Sequence, residues 1–350
     1  MSISLPLLLC GYSLPHLMGY LPTRAGEMPG TPLSPLELLS LANELGLQGV
    51  ECPLTETPSV FDGVTATVDA GLDALLEQIN ARSYGSIIVA DYGALLDHEP
   101  DHLITYCKRA ATYGARIVRC IPSHILCGDR RGFPAGWTRH RELLAQRLGL
   151  VLPHIEQLGI TLAIENHQDV TSDDLMWLFE NSGYSSAFGI TLDTGNPLAV
   201  CEDPLEYALR IAPLIRHVHL KDYTIHRADN GYRLVRCAAG NGVIDFPSIL
   251  AELNTHGHVA SLAIEIAAQA TRTIPMLEES WWQEYPTAQR HYLPAALRTY
   301  WQKCRPTEEP YASCWERGGS SVDVGREELE LVKQSVNYFE RLLRTNGRED

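Results

Sequence analysis

Thr161-Leu162-Ala163-Ile164-Glu165-Asn166-His167 is an apolar run, too short for a helix, that ends on a carboxylate. The same grammar recurs in Ile190-Thr191-Leu192-Asp193-Thr194-Gly195-Asn196, in His217-Val218-His219-Leu220-Lys221-Asp222 and in Leu262-Ala263-Ile264-Glu265. Runs rich in Ile, Val, Leu and Ala without a polar outer face are expected of parallel strands covered on both sides. Upstream runs at Leu5–Cys10, Gly49–Cys52, Ser86–Asp91 and Arg116–Ile121 bring the expected strands to eight.

Helical patterns fill the intervals. Ser34-Pro35-Leu36-Glu37 combines an N-cap serine, proline at the first helical position and glutamate three residues after the cap, and Gly46 closes the segment. Asp203-Pro204-Leu205-Glu206 repeats that start, and Asp245 opens a helix ending near Gly257. Eight strand–helix units predict an α/β fold, a (β/α)8 TIM barrel over residues 1–270. A doubly wound sheet is the rival, but no GxGxxG follows the first strand. Residues 271–350 predict a helical extension packing on the barrel or on a partner subunit. Within it, Glu327–Arg344 carries Leu329, Leu331, Val332, Val336, Phe339, Leu342 and Leu343 on one side.

With 45% hydrophobic and 20% charged residues, the 350-residue chain has the apolar mass for a globular core. Lys and Arg number 28 against 43 Asp and Glu, a net charge of −15 that disfavours nucleic acid and anionic membranes. No apolar run approaches the ~18–20 residues that span a bilayer. The run at Leu5–Cys10 has no basic segment before it and reads as a strand rather than a leader. Nine scattered cysteines without a CxxC suit a cytoplasmic chain with reduced thiols.

In a barrel the C-terminal strand ends share one mouth. Glu165, Asp193, His219 and Glu265 therefore converge although they are scattered in sequence. Three carboxylates together repel unless a cation joins them. Three oxygen donors and one imidazole suit Mn2+ first, with Mg2+, Co2+ or Zn2+ also compatible. The alternative is four separate strand ends, each hydrogen-bonded locally.

These residues make the chain similar to the xylose-isomerase-like TIM barrels, the sugar-phosphate isomerase/epimerase superfamily. The resemblance runs to about Ile266 and is sharpest in Ile164–His167, Leu192–Asn196, His217–Asp222 and Glu265. It implies Glu165, Asp193, His219 and Glu265 as metal ligands, with Glu165 and Glu265 also the acid/base pair of the epimerases. The chain departs from that pattern at two points. Asn196 stands where many epimerases have histidine, and the arginine following their strand-seven histidine has no aligned counterpart.

The expected activity is a metal-dependent carbohydrate isomerase or epimerase acting on a keto sugar or related polyol through an enediolate. A lyase of the same superfamily, decarboxylating a 3-oxo sugar acid or cleaving a 3-keto-glycoside, is the alternative. A non-catalytic sugar-binding or partner subunit is the third. Whatever the activity, a small-molecule sugar is the expected partner, and a homo-oligomer or partner subunit could join through the extension. His167 shares the inner face with Glu165 and serves either as acid/base or as partner of a bound carboxylate. Lys221 either polarises a carbonyl or forms a salt bridge. Glu51, Arg119, Asn196 and His217 are candidate substrate-binding residues, with internal ion pairing or hydrogen bonding as the competing roles. Gly240-Asn241-Gly242 makes either a turn or a phosphate cradle. Trp281-Trp282 is either a lid over the mouth or buried beneath the C-terminal helix.

Overall fold

The computed structural model describes residues 5–54, 87–256, 258–266, 268–306 and 312–345. Eight parallel strands close into a barrel: β1 (Leu7–Cys10), β2 (Gly49–Pro53), β3 (Ile87–Ala94), β4 (Ile117–Ile121), β5 (Thr161–Glu165), β6 (Phe188–Asp193), β7 (Ile215–Leu220) and β10 (Ser261–Ile264). The last barrel strand pairs with the first, Leu8 opposite Ala263. These are the eight expected strands, with ends shifted by a few residues. Ser86, expected to begin β3, lies outside the described residues, as does Gly257.

The alternation of side chains sorts each strand into two layers. Leu9, Val50, Ile88, Val118, Leu162, Ile190, Val218 and Leu262 face outward into the main core beneath the helices. Inward, Leu8, Cys10, Val89, Ile117, Ala163 and Ala263 form a separate apolar plug inside the barrel. One layer further along the same inner positions stand Glu51, Asp91, Arg119, Glu165, Asp193 and His219, all buried. The barrel interior thus changes from oil to charge toward the C-terminal strand ends.

The outer helices begin as their caps dictate. Helix α1 (Pro35–Glu44) has the full Ser34–Glu37 capping box. Between α1 and β4, α2 (Pro100–Thr112) follows β3; α3 (Trp137–Gln157) and α4 (Ser172–Asn181) follow β4 and β5. Helix α5 (Pro204–Ile211) is capped by Asp203, and α6 (Phe246–His256) has Asp245 accepting from the Ser248 amide.

Two features were not anticipated. A hairpin, β8 (Tyr223–Ala228) and β9 (Gly231–Arg236), is inserted after β7, and β11 (Arg272–Ile274) pairs antiparallel to β9. The tail holds α7 (Leu293–Lys303) and α8 (Ser321–Thr345), the latter starting six residues before the expected Glu327 because Ser320 accepts from the Asp323 amide. Val332, Val336 and Phe339 of α8 join the main core, and the Phe339 ring lies 5.0 Å from Phe246 of α6. Glu328 of α8 accepts from the His16 and Leu17 amides in the loop after β1. No helix among the described residues is long and apolar enough to cross a membrane.

Because Phe339 is fully buried between α8 and α6, Phe339→Ala should lower unfolding free energy by about 3–5 kcal/mol. Urea titration followed by circular dichroism reads the change, and a midpoint equal to wild type would deny α8 a place in the core.

Candidate metal centre

Strand register assembles the centre. Asp193 of β6 and Ala263 of β10 both lie opposite His219 of β7, so Glu265, two residues beyond Ala263, stands one layer nearer the mouth, from which its carboxylate reaches His219 Nδ1 and Lys221 Nζ. One donor atom from each of Glu165, Asp193, His219 and Glu265 lies within 4.8 Å of the others.

Each ligand candidate is aimed by a partner. Arg119 Nε donates to Glu165 Oε2 at 2.6 Å, and Asn196 Nδ2 donates to Oε1 at 3.0 Å. Asp193 Oδ1 accepts from the Gly195 and Asn196 amides at 2.9 and 3.1 Å, which leaves Oδ2 facing the centre. Glu51 accepts from Nε2 of both His217 (2.9 Å) and His219 (2.8 Å). With its Nε2–H committed to Glu51, His219 turns Nδ1 toward Glu265 Oε2 at 2.6 Å. His217 Nδ1 is in turn 2.8 Å from Ser261 Oγ. A carboxylate behind an imidazole fixes its tautomer and raises its basicity as a ligand.

The charge balance is lopsided. Five buried carboxylates (Glu51, Asp91, Glu165, Asp193 and Glu265) face two permanent cations, Arg119 and Lys221. Arg119 Nη1 pairs with Asp91 at 2.6 Å, and Lys221 Nζ lies 2.5 Å from Asp193 Oδ2 and 2.7 Å from Glu265 Oε1. Burial pushes Asp193 up to about 7, against the pull of Lys221. Burial also works against ionised Glu265, but Lys221 and His219 outweigh it and hold that carboxyl below the usual range. His219 is driven well above an ordinary imidazole: burial opposes its charge, and Glu51 and Glu265 overcome that.

Despite these short approaches, His219 Nδ1, Asp193 Oδ2 and Glu265 Oε2 are buried without a hydrogen bond of proper geometry. Unsatisfied buried polar atoms are rare and need a reason. These three converge from three strands, and a divalent cation would satisfy all of them at once. The donor set therefore fits a hard or borderline cation.

Residual exposure marks where the centre opens. The His167 side chain is 15% exposed, Glu265 9%, Arg119 8% and Lys221 6%, whereas Glu165 is at 1% and Asp193 and His219 at zero. Burial, then the Arg119 and Lys221 charges, hold His167 well below the ordinary imidazole range, so its ring is neutral at the rim. Its Nδ1 faces Asp169 Oδ1 at 3.9 Å. Glu51 and His217 sit beneath the ligands rather than at the opening.

Other sequence features have specific places. The amides of Gly240, Gly242 and Ile244 all donate to the carboxylate of Asp222, which follows β7, so a side chain of the protein fills the cradle considered for phosphate. Trp281 is buried against the loop after β4, donating Nε1–H to the Cys127 carbonyl and stacking on Tyr285. Asp91 was missed as a site residue, although its strand has the same apolar-to-carboxylate junction.

A closed barrel with carboxylates and one histidine gathered at its C-terminal mouth has the layout of a TIM-barrel metalloenzyme. The profile of the xylose isomerase-like TIM barrel family matches residues 39–285, and the chain belongs to that family. A 3-oxo-isoapionate decarboxylase of Pectobacterium atrosepticum is 27% identical over 199 residues, 51% of this chain and 71% of the relative. A xylose isomerase-like TIM barrel protein from Mycobacterium smegmatis, solved in complex with magnesium, superimposes with a TM-score of 0.55 at 15% identity, covering 85% of this chain and 98% of that one. An L-ribulose 3-epimerase gives 0.54 at 16% identity, covering 94% and 98%. Both structural likenesses concern the fold.

Two outcomes follow from the geometry. Glu51→Gln, which weakens the acceptor behind His219, should reduce Mn2+ affinity about 10–100-fold in calorimetry while leaving the circular dichroism spectrum unchanged. The raised His219 pKa means that a proton must leave before Nδ1 can bind an ion. Affinity should therefore climb with pH through neutrality, about tenfold per unit for one proton displaced. Calorimetry in buffers of different ionisation enthalpy counts that proton, and a flat affinity between about pH 6 and 8 would contradict the assignment.

Proposed function

We propose that the chain is a divalent-cation-dependent lyase that decarboxylates a 3-oxo sugar acid, with Glu165, Asp193, His219 and Glu265 holding the ion. The donor set favours Mn2+ or Mg2+. When bound, such a cation polarises the substrate carbonyl and takes up charge as a carbanion develops beside it. Glu51 and Asn196 keep the donors oriented, and Arg119 and Lys221 limit repulsion among the carboxylates. As the C–C bond to the carboxylate breaks, its electron pair moves toward the carbonyl oxygen, CO2 departs, and the carbon left behind takes a proton. His167, neutral at the rim, relays that proton from solvent water, donating from one ring nitrogen and regaining a proton from water.

The observation that carries this choice is the engagement of Glu165. One of its oxygens takes Arg119 and the other takes Asn196, which leaves it a poor proton acceptor. Epimerisation needs two competent bases on opposite faces of the substrate. The decarboxylase among the relatives supports the same reading. Epimerisation of a neutral keto sugar is the second reading, favoured by the closeness of Glu165 and Glu265 within one centre.

Incubation with Mn2+ in D2O separates the two. The expected result is CO2 release from a 3-oxo sugar acid with one deuterium at the carbon that lost it, while ketoses are recovered unexchanged. Glu265→Gln should reduce kcat/KM at least about 100-fold. Deuterium in intact ketoses without CO2 release would replace this reading by the second.

A further inference from the structure

The three-stranded sheet β8–β9–β11 lies over the barrel mouth, and one of its faces is buried against it. Register puts Tyr223 across from Arg236, Ile225 across from Leu234, and Leu234 across from Arg272, so these residues share that face. Tyr223, Ile225, Leu234 and Ile274 on it are almost fully covered, and Tyr232 of the same face donates its hydroxyl to the Leu198 carbonyl in the loop after β6; on the other side Thr224, His226 and Val235 are buried too, while Thr273 is exposed. The Tyr223 ring packs where a Cβ on Gly195 would be, in the loop that carries Asp193 and Asn196. This places the Tyr223 end of the face against the loop that carries two residues of the centre.

Arg272 is the partly buried cation on this face without an internal partner; Arg227, which shares the face, is exposed at its edge. Among the described residues its side chain forms no ion pair within 4.0 Å and donates no hydrogen bond, and its Nε is buried unsatisfied. Its neighbours behave differently. Arg236 pairs with Glu327, and Arg233, on the outer face, bonds Thr271. The charge of Arg272 reaches the residues of the opening: it helps keep the His167 ring neutral and acts on the Tyr223 hydroxyl. In a chain of net charge −15, a half-buried arginine without a carboxylate at a substrate entrance has a ligand-sized reason to be there.

We propose that Arg272 is the anion-binding residue of the substrate site, receiving a carboxylate or phosphate carried by a sugar derivative whose carbonyl end faces Glu165, Asp193, His219 and Glu265. The inference deepens the reading of the mouth as a sugar-acid site and rests on it. An ion pair made in the ground state and weakened as charge leaves lowers KM rather than the barrier. Arg272 is thus a specificity residue, and the guanidinium fork suits either oxyanion bidentately.

Direct binding tests this without turnover. Calorimetry on the Mn2+-loaded protein compares D-gluconate, D-glucose 6-phosphate and the neutral D-glucitol. At least one anion should bind about tenfold or more tightly than glucitol, and which one does identifies a carboxylate or a phosphate. Arg272→Gln should erase the preference, and Thr273→Gln on the exposed face of the same strand should keep it. Arg272→Met, which keeps the aliphatic stem, serves if the glutamine variant does not fold. No anion preference in wild type, or a preference that survives loss of the guanidinium, would overturn the proposal. If the preference is present and depends on Arg272 but no CO2 is released from any 3-oxo acid, the lyase reading fails while the anion site stands.

Discussion

Like charges crowded inside a closed barrel are the constraint to which the rest of this structure answers. Five carboxylates, carried on or just past five strands, crowd adjoining layers at the C-terminal end of the barrel and are almost wholly buried. Each must be neutralised, hydrogen-bonded or given a cation, because a bare buried charge is far costlier than any single packing contact returns. Arg119 and Lys221 bridge neighbouring acids, and the histidines of β7 share Glu51. Among the buried atoms left without a hydrogen bond are His219 Nδ1, Asp193 Oδ2 and Glu265 Oε2, gathered at one place. Structure and chemistry therefore meet at the same place: the arrangement that strains an empty barrel is the one whose donor set fits a divalent ion.

That level exists because of the strand pattern beneath it. The plug of Leu8, Val89, Ile117, Ala163 and Ala263 fills the barrel's lower interior with small and branched side chains, and it stops where the acids begin. The plug gives the polar layer a rigid, dry floor, on which hydrogen bonds and ion pairs are stronger than they would be in water. The outward residues of the same strands anchor the helices. One sequence alternation thus sets both the fold's stability and the electrostatics of its mouth.

The barrel and its centre were legible because they depend on local alternation and on strand ends, which short runs such as Leu162–Glu165 display directly. Asp91 carries the same sign, an apolar run ending on a carboxylate. The hairpin also had a signal, since Asp229-Asn230-Gly231 separates two runs of β-forming residues. The partner of Glu51 was not legible: nothing in Gly49–Pro53 indicates that its carboxylate faces two histidines about 170 residues away rather than a sugar hydroxyl. Arg272 is harder still, because its direction is set by antiparallel pairing with a strand that belongs to an insertion. Side chains whose role depends on which loop crosses the mouth carry no periodic mark.

The clasp between Glu328 and the amides of His16 and Leu17 joins residues 312 positions apart. The loop it holds begins where β1 ends, beside Cys10 and the rim of the barrel. During synthesis on the ribosome, all eight barrel strands emerge before α8 does, so the first loop must wait for the last helix to fix its backbone. Closure of the cylinder and completion of its rim are therefore separate events in the maturation of the molecule, the second lagging the first by the translation of some sixty residues.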